Sequence, residues 1–258
     1  MILINNLCFS YGEKQILHNI NIKITLGSLN AIVGSNGVGK STLFKCLSKQ
    51  QSVKNNMIFI DNKDINNYSY QSYAKKISLV SQLSKINGND VRVRDYMVEG
   101  RTPYMSLFAI PNQKDYLIVE NVAKQLEIVN LLGEYVSKLS GGQQQLVALG
   151  RAMVQNTPVI LLDEPMSALD LTNQIKLLKI FKSLTEQGKT LIFSTHNPNH
   201  ALSLNCNTIL LKNGTIMCDG KASDCLTNHN LHEIYNQQIE RIDYNDNIFC
   251  VLRLSKKL

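Results

Sequence analysis

The chain has 258 residues, of which 44% are apolar and 18% charged, with 14 Gly, 5 Pro and a net charge of +7. This is the size of one large domain, or one domain carrying a subdomain; the apolar content excludes disorder, and so few Gly and Pro exclude collagen-like or low-complexity character. No apolar run approaches the roughly 20 residues of a membrane-spanning helix, and Met1-Ile-Leu-Ile-Asn-Asn lacks the basic segment and apolar stretch of a secretory signal, so a cytoplasmic location is expected.

In chain order, Ile2 to Phe9 and Ile20 to Leu26 read as strands, the second with apolar residues at alternate positions. Leu29 to Val33 is a short apolar strand ending in a Gly-rich loop, and Lys40 to Ser48 reads as a helix with Leu43 and Leu47 on one face. Met57 to Ile60 and Ile77 to Val80 are further strands. From Val91 to Met153 the texture turns helical, with Leu117, Val119, Val122, Leu126, Val129 and Leu132 at helical spacing. Strand–helix alternation then resumes: Val159 to Leu162 as strand, Asn173 to Leu184 as helix, and Thr190 to Ser194 as strand. Thr208 to Leu211 pairs with Thr215 to Cys218 across Asn213-Gly214, a strong hairpin turn signal. The pattern predicts an α/β fold with a mostly parallel sheet, an antiparallel β portion and an inserted helical subdomain. After Gly220 the tail is polar, Asn-rich and too short for a separate domain.

Cys8, Cys46, Cys206, Cys218, Cys225 and Cys250 show no zinc-ligand spacing and read as reduced, mostly buried thiols. Basic residues are spread along the chain, clustering only in pairs such as Lys75-Lys76 and Lys256-Lys257. That is a solvated surface, and no nucleic-acid partner is expected.

Gly34-Ser35-Asn36-Gly37-Val38-Gly39-Lys40-Ser41-Thr42 fits G-x-x-x-x-G-K-[ST] between a strand and a helix. Glycines let the backbone wrap closely enough for successive N–H groups to face phosphate oxygens, and the helix N-terminus adds positive potential. Lys40 is placed for the β- and γ-phosphates and the Ser41 hydroxyl for Mg²⁺, so the loop implies a nucleoside triphosphate. The apolar strand Val159 to Leu162 delivers Asp163 and Glu164 at its end. Asp163 suits Mg²⁺ through water, and Glu164 can polarise a water for in-line attack on the γ-phosphorus. Ser140-Gly141-Gly142 before a helix exposes backbone N–H groups as a second anion-binding element.

With Leu139-Ser140-Gly141-Gly142-Gln143 added to these two elements, the chain resembles an ATP-binding-cassette (ABC) ATPase, the P-loop nucleotide-binding subunit of a transporter, from Met1 to about Tyr235. The resemblance implies ATP and Mg²⁺ as cofactors and further site residues. Gln82 corresponds to the glutamine that contacts Mg²⁺ and the attacking water. Ser167-Ala168-Leu169-Asp170 is similar to the D-loop, His196 to the switch histidine that touches the γ-phosphate, and Tyr11 to the aromatic residue stacked on adenine. Met166 stands where the family usually has Thr, and Asn197 where it often has Asp. It further implies a homodimer, with ATP between the P-loop of one subunit and Ser140, Gly141, Gly142, Gln143 and Asp170 of the other. Residues 1–90 and 154–220 would form the nucleotide-binding core, 91–153 the helical subdomain and 221–258 a tail.

A single, separate cassette is the usual pattern of bacterial importers, peripheral on the cytoplasmic face of the inner membrane with an integral permease and a substrate-binding protein. Gly100-Arg101-Thr102-Pro103-Tyr104, Leu107-Phe108, Pro111 and Asp115, with His196-Asn197-Pro198-Asn199-His200-Ala201, are similar to the iron-siderophore, haem, cobalamin and molybdate importer group. Iron(III)-siderophore is the first expectation. The alternative is a soluble ABC ATPase without a permease, such as one in iron–sulfur cluster assembly. A solvated, functionless Arg101 to Phe108 segment would favour it.

Overall fold

The computed structural model describes residues 1–82, 91–106, 108–235, 239–244 and 247–252, so Leu107, Lys256 and Lys257 lie outside the described residues. The chain opens on the antiparallel pair β1 (Ile2–Tyr11) and β2 (Lys14–Ile24). Ile20, Ile22 and Ile24 are buried as their alternation predicts, but Leu26 lies beyond the strand and is exposed. Asn6 and Asn19 sit at the register irregularities with left-handed backbone (φ 46° and 51°), which asparagine tolerates better than most residues. Next come β3 (Leu29–Val33) and α1 (Lys40–Leu47), whose Leu43 and Leu47 are fully buried. β4 (Ile58–Ile60), β5 (Lys63–Asp64), α2 (Tyr70–Ala74) and β6 (Ile77–Val80) complete this part.

The helical block contains α3 (Val93–Val98), α4 (Gln113–Gln125) and α5 (Gly141–Val154). The helical pattern through Leu132 breaks after Gln125, because Glu127 takes a left-handed φ of 56° and Val129–Leu131 forms only one 3₁₀ turn. Beyond it run β7 (Val159–Leu162), α6 (Leu171–Glu186), β8 (Thr190–Thr195), α7 (Pro198–Leu204), β9 (Asn207–Lys212) and β10 (Thr215–Lys221). The tail folds into α8 (Ala222–Cys225), α9 (Asn228–Tyr235) and the antiparallel hairpin β11 (Ile239–Tyr244) and β12 (Asn247–Leu252).

The main sheet runs β10-β9-β3-β8-β7-β6, parallel from β9 to β6 with β10 antiparallel at one edge. A separate antiparallel sheet, β2-β1-β4-β5, lies against its other face. Successive residues of a strand point to opposite faces, and here both faces are covered. Ala31, Val33, Ile160, Leu162, Leu191 and Phe193 join one core with the helical block and α6. Ile32, Val159, Leu161 and Ile192 join another with α1 and the antiparallel sheet. This double burial explains the near-continuous apolar runs of β3, β7 and β8.

One expectation is corrected. Cys218 and Cys225 form a disulfide, so not every cysteine is a reduced thiol; Cys46, Cys206 and Cys250 are buried and free, and Cys8 is exposed. The sequence hides this pairing because the end of β10 turns directly back into α8, bringing the two Cα atoms to 5.7 Å.

The predicted β9–β10 hairpin forms, with Asn213 and Gly214 both left-handed (φ 47° and 71°). Its tip braces the Gly-rich loop: the Gly214 amide donates to the Val38 carbonyl at 3.2 Å, and the His18 amide donates to the Gly214 carbonyl at 2.8 Å. A Cβ at Gly214 would stand 2.0 Å from the Ile16 carbonyl oxygen. Gly214→Ala is therefore expected to destabilise the chain by about 2–4 kcal/mol, read as a lower urea midpoint at unchanged slope.

Candidate functional site

Ligand sites of open α/β sheets lie beyond the carboxyl ends of the strands, where crossovers diverge. Here four adjacent strands, β3, β8, β7 and β6, end on the same edge. They deliver the Gly34–Thr42 loop, His196, Asp163 with Glu164, and Gln82 respectively. With neighbouring strands about 4.8 Å apart, the row spans roughly 15 Å, a scale suited to a polyphosphate and its surroundings.

The loop keeps its close wrap through Gly37 and Gly39, left-handed at φ 82° and 110°. A Cβ at Gly34 would meet the Leu211 carbonyl oxygen at 2.5 Å, so this position also needs glycine. Beside the loop lies a cleft of about 280 Å³ lined by Asn36, Gly37, Gly39, Lys40, Ser41, Thr42, Gln82, Glu164 and Ile16. The ammonium of Lys40, 5% exposed, donates to the Gly34 and Ser35 carbonyls at 2.8 and 3.0 Å and stands 3.1 Å from Glu164 Oε1. Glu164 Oε2 is 2.9 Å from His196 Nδ1. One carboxylate thus joins the loop lysine to the histidine.

Glu164 itself is left-handed, φ 48°, an uncommon conformation for a residue with a side chain. Ser194 on β8 holds it there. Its hydroxyl accepts from the Glu164 amide at 2.8 Å and donates to Asp163 Oδ1 at 2.6 Å. Ser194 is fully buried, and its only sequence signal was its place in the strand before His196. Asp163 is buried as well. Among the described residues no three His, Cys, Asp or Glu side chains gather as a metal cage. The donor set fits Mg²⁺ nonetheless, since that ion is usually bound through one or two carboxylates and fills its octahedron with phosphate and water oxygens. Asp163, the Ser41 hydroxyl and Gln82 are the protein donors on this edge.

The remaining predicted residues stand apart from the cleft. Tyr11 is partly exposed and stacks edge-on against Phe9 at 5.0 Å, while Ile16 lines the cleft. Ser140 caps α5 in a reciprocal box, accepting from the Gln143 amide at 3.3 Å while Gln143 Oε1 accepts from the Ser140 amide at 3.0 Å. A Cβ at Gly142 would stand 3.1 Å from Leu169 Cδ2, so the Ser140–Gln143 turn and the Ser167–Asp170 loop are neighbours. Asp170 caps α6 by accepting from the Asn173 amide at 2.8 Å. Met166 is buried in the core, and Asn197 caps α7 by accepting from the Asn199 amide at 3.0 Å.

A doubly covered parallel sheet with a lysine-bearing phosphate loop beside a carboxylate–histidine pair defines a P-loop ATPase. Residues 17–167 match the family model described as ABC transporter. The chain is 31% identical to the probable iron chelatin transport ATP-binding protein of Helicobacter pylori strain J99, covering 95% of this chain and 96% of that one. It is 32% identical to the ferric enterobactin transport ATP-binding protein FepC of Escherichia coli K12, over 92% of this chain and 88% of that one. Among solved structures it superposes on a metal-chelate type ABC transporter in an inward-facing conformation, with a TM-score of 0.84, 29% identity and 98% coverage of both chains. The chain belongs to the ABC transporter ATP-binding family and is an ATPase. No described helix is long and apolar enough to cross a membrane.

Behind the switch position, buried His200 lies 2.9 Å from Thr195 Oγ1 through Nδ1 and 3.4 Å from Gln174 Oε1 through Nε2. Burial lowers its pKa to about 4, with His196 adding to the effect. The folded chain therefore binds fewer protons at this site than the unfolded one. The stabilisation is complete above the ordinary histidine pKa of about 6.5 and is lost as the pH falls to 4, up to about 3 kcal/mol. His200→Gln is expected to flatten that part of the stability–pH curve, checked by urea unfolding at pH 7.5, 5.5 and 4.5.

Proposed function

We propose that this chain is the ATP-hydrolysing subunit of a bacterial importer for a metal chelate, an iron(III)-siderophore first among the candidates. The observation that carries the hydrolytic part is the convergence of Lys40, Asp163, Glu164, His196 and Gln82 on one sheet edge. In this reading the amides of Gly34 to Thr42 cradle the phosphates and Lys40 leaves Glu164 for the β- and γ-phosphate oxygens. Arrival of the polyphosphate thereby frees the carboxylate. Glu164 then accepts a proton from the attacking water while His196 steadies the γ-phosphate and Gln82 orients the water. Ser41, Asp163 and Gln82 would hold Mg²⁺, which when bound would neutralise charge on the phosphate oxygens. Tyr11 stacks on the base.

The second phosphate-binding element, Ser140, Gly141, Gly142 and Gln143 with Asp170, serves the site of the other subunit in an isologous homodimer. Its exposure is what such a role needs: Ser140, Gly141 and Gln143 all face outward. In this reading residues 1–90 and 154–220 are the nucleotide-binding core, 91–153 the helical subdomain and 221–258 the tail.

The transport part is supported by the chelate-transport relatives and by a built groove. Between α2, α3 and the stretches Glu99 to Ser106 and Ala109 to Pro111 lies a depression of about 860 Å³ lined mainly by apolar atoms, open to a partner's apolar surface. Arg101 is no loose solvated residue. It pairs with Asp115 at 3.1 Å, lies 4.1 Å above the Tyr104 ring and donates to the Val154 carbonyl at 3.3 Å. Phe108 at the far end of the same stretch is exposed, so Arg101 departs from the solvated segment that the reading without a permease expects and Phe108 does not. The complex would sit on the cytoplasmic face of the inner membrane.

Glu164→Gln is expected to keep ATP binding and to lower turnover at least about a hundredfold, measured by steady-state phosphate release. Unchanged turnover would remove Glu164 from the base role. Gentle solubilisation of host membranes followed by affinity capture of the tagged chain is expected to recover a polytopic permease. Recovery from the soluble fraction with no membrane protein attached would favour the permease-free reading.

A further inference from the structure

The tail returns to the site. At the end of α9 the Tyr235 hydroxyl donates to the His196 carbonyl at 2.6 Å. Burial raises the phenol's pKa, so the group is a donor throughout the working pH range. One turn further on, Asn199 in the first turn of α7 is clasped by β12. Its Nδ2 donates to the Cys250 carbonyl at 3.0 Å, and the Cys250 amide donates to Asn199 Oδ1 at 2.8 Å. The hairpin is itself anchored: the Arg241 amide donates to Asn228 Oδ1 at 2.6 Å, and the Arg241 guanidinium donates to the Ser223 carbonyl. Ser223 lies in α8, which the Cys218–Cys225 disulfide ties to β10. A two-stranded hairpin is marginal alone. These contacts make it part of the framework, and its clasp on Asn199 and the Tyr235 contact from α9 both end at the bend between β8 and α7.

That bend carries the imidazole which meets Glu164 Oε2 at 2.9 Å. His196 is half exposed, and the backbone of the bend sets the point from which its ring reaches Glu164. We propose that the C-terminal segment positions His196, with Tyr235 as the positioning residue for its backbone and the Asn199–Cys250 clasp as the second hold. The proposal rests on the reading of His196 as part of the hydrolytic site. Tyr235 touches no reacting atom in this role. It narrows the range of backbone geometries from which the imidazole reaches Glu164 and, in turnover, the γ-phosphate.

The test uses the full chain with Mg·ATP. Tyr235→Phe removes one hydrogen bond and keeps the ring, and is expected to lower kcat about three- to tenfold with KM unchanged within twofold. Asn199→Ala, which cuts the clasp and leaves Tyr235 intact, is expected to give a drop of about twofold. In single-turnover hydrolysis on a His196→Ala background, neither substitution should cause further loss, because the group being positioned is gone. Wild-type kcat in Tyr235→Phe, alongside strong loss in His196→Ala, overturns the positioning role and leaves the histidine reading standing. Wild-type turnover in His196→Ala overturns the histidine reading and the proposal with it. The same fractional loss with and without His196 also overturns it, since Tyr235 then acts on something else. If Tyr235→Phe shows no cooperative melt, Asn199→Ala decides by the same comparison: a loss confined to chains with His196 supports the proposal, and no loss overturns it.

Discussion

A single buried carboxylate sets the geometry of this edge of the molecule. Glu164 shares its two oxygens between the Lys40 ammonium at 3.1 Å and the His196 imidazole at 2.9 Å. An acidic side chain this deep needs close partners, because a polar group without them is costly away from water. The backbone is also held left-handed there, at an expense of about 1–3 kcal/mol. Such a residue persists only where its surroundings over-determine it. Here they do so through the Ser194 hydroxyl, which ties the Glu164 amide to Asp163. The adjacency of β3, β8 and β7 follows as a requirement. Lysine, histidine and carboxylate come from three crossovers, and neighbouring parallel strands bring the first two within about 3 Å of the carboxylate.

The same strand order leaves the Ser140–Gln143 turn outside the cleft. The helical block covers the sheet face opposite α1, and α5 belongs to that cover. The first four N–H groups of a helix have no intrahelical partner. At α5 the capping box satisfies the Gln143 amide, and the turn itself faces outward. A Cβ at Gly142 would stand 3.1 Å from Leu169 Cδ2, so the start of α5 and the loop running into α6 are close neighbours. Two surfaces that a symmetric partner would meet together therefore lie side by side within the chain. The Gly100 backbone reinforces this from behind, where a Cβ would fall 2.3 Å from the Arg151 carbonyl of α5. The segment bearing Arg101 is thereby pressed directly onto the helix that begins at Ser140.

What the sequence makes legible here is contiguous. The glycine-rich loop, Asp163-Glu164 and the Asn213-Gly214 turn each carry their reason within a few residues, and each stands where periodicity and turn chemistry place it. What escapes is non-local. Ser194 is an ordinary strand residue until β7 lies beside β8. Cys218 and Cys225 read as scattered thiols until β10 turns into α8. The short β5 and α2 have too few residues for a period to show. The helical pattern past Gln125 misleads for a different reason: Val129 and Leu132 keep the spacing, but Glu127 breaks the backbone and Val129 ends exposed. Tyr235 escapes most completely, because its partner is a backbone carbonyl and leaves no mark on side-chain patterning.

The tail shows why chain length alone is a poor guide to what a segment does. After Gly220 there is too little apolar sequence for an independent core, and among the described residues none forms. Instead Leu226, Leu231, Ile234, Ile239 and Cys250 enter the same core as Val33, Leu162 and Phe193. A segment that borrows its core from the catalytic sheet cannot shift without disturbing that sheet's edge. Its polar contacts then fall where the borrowed core brings it, and that is the β8–α7 bend rather than open surface. Burial supplies the tail's stability, and the hydroxyl and amide contacts direct that stability onto His196. Any ligand or partner that loosened α9 or the hairpin would act on the histidine's backbone without entering the nucleotide cleft.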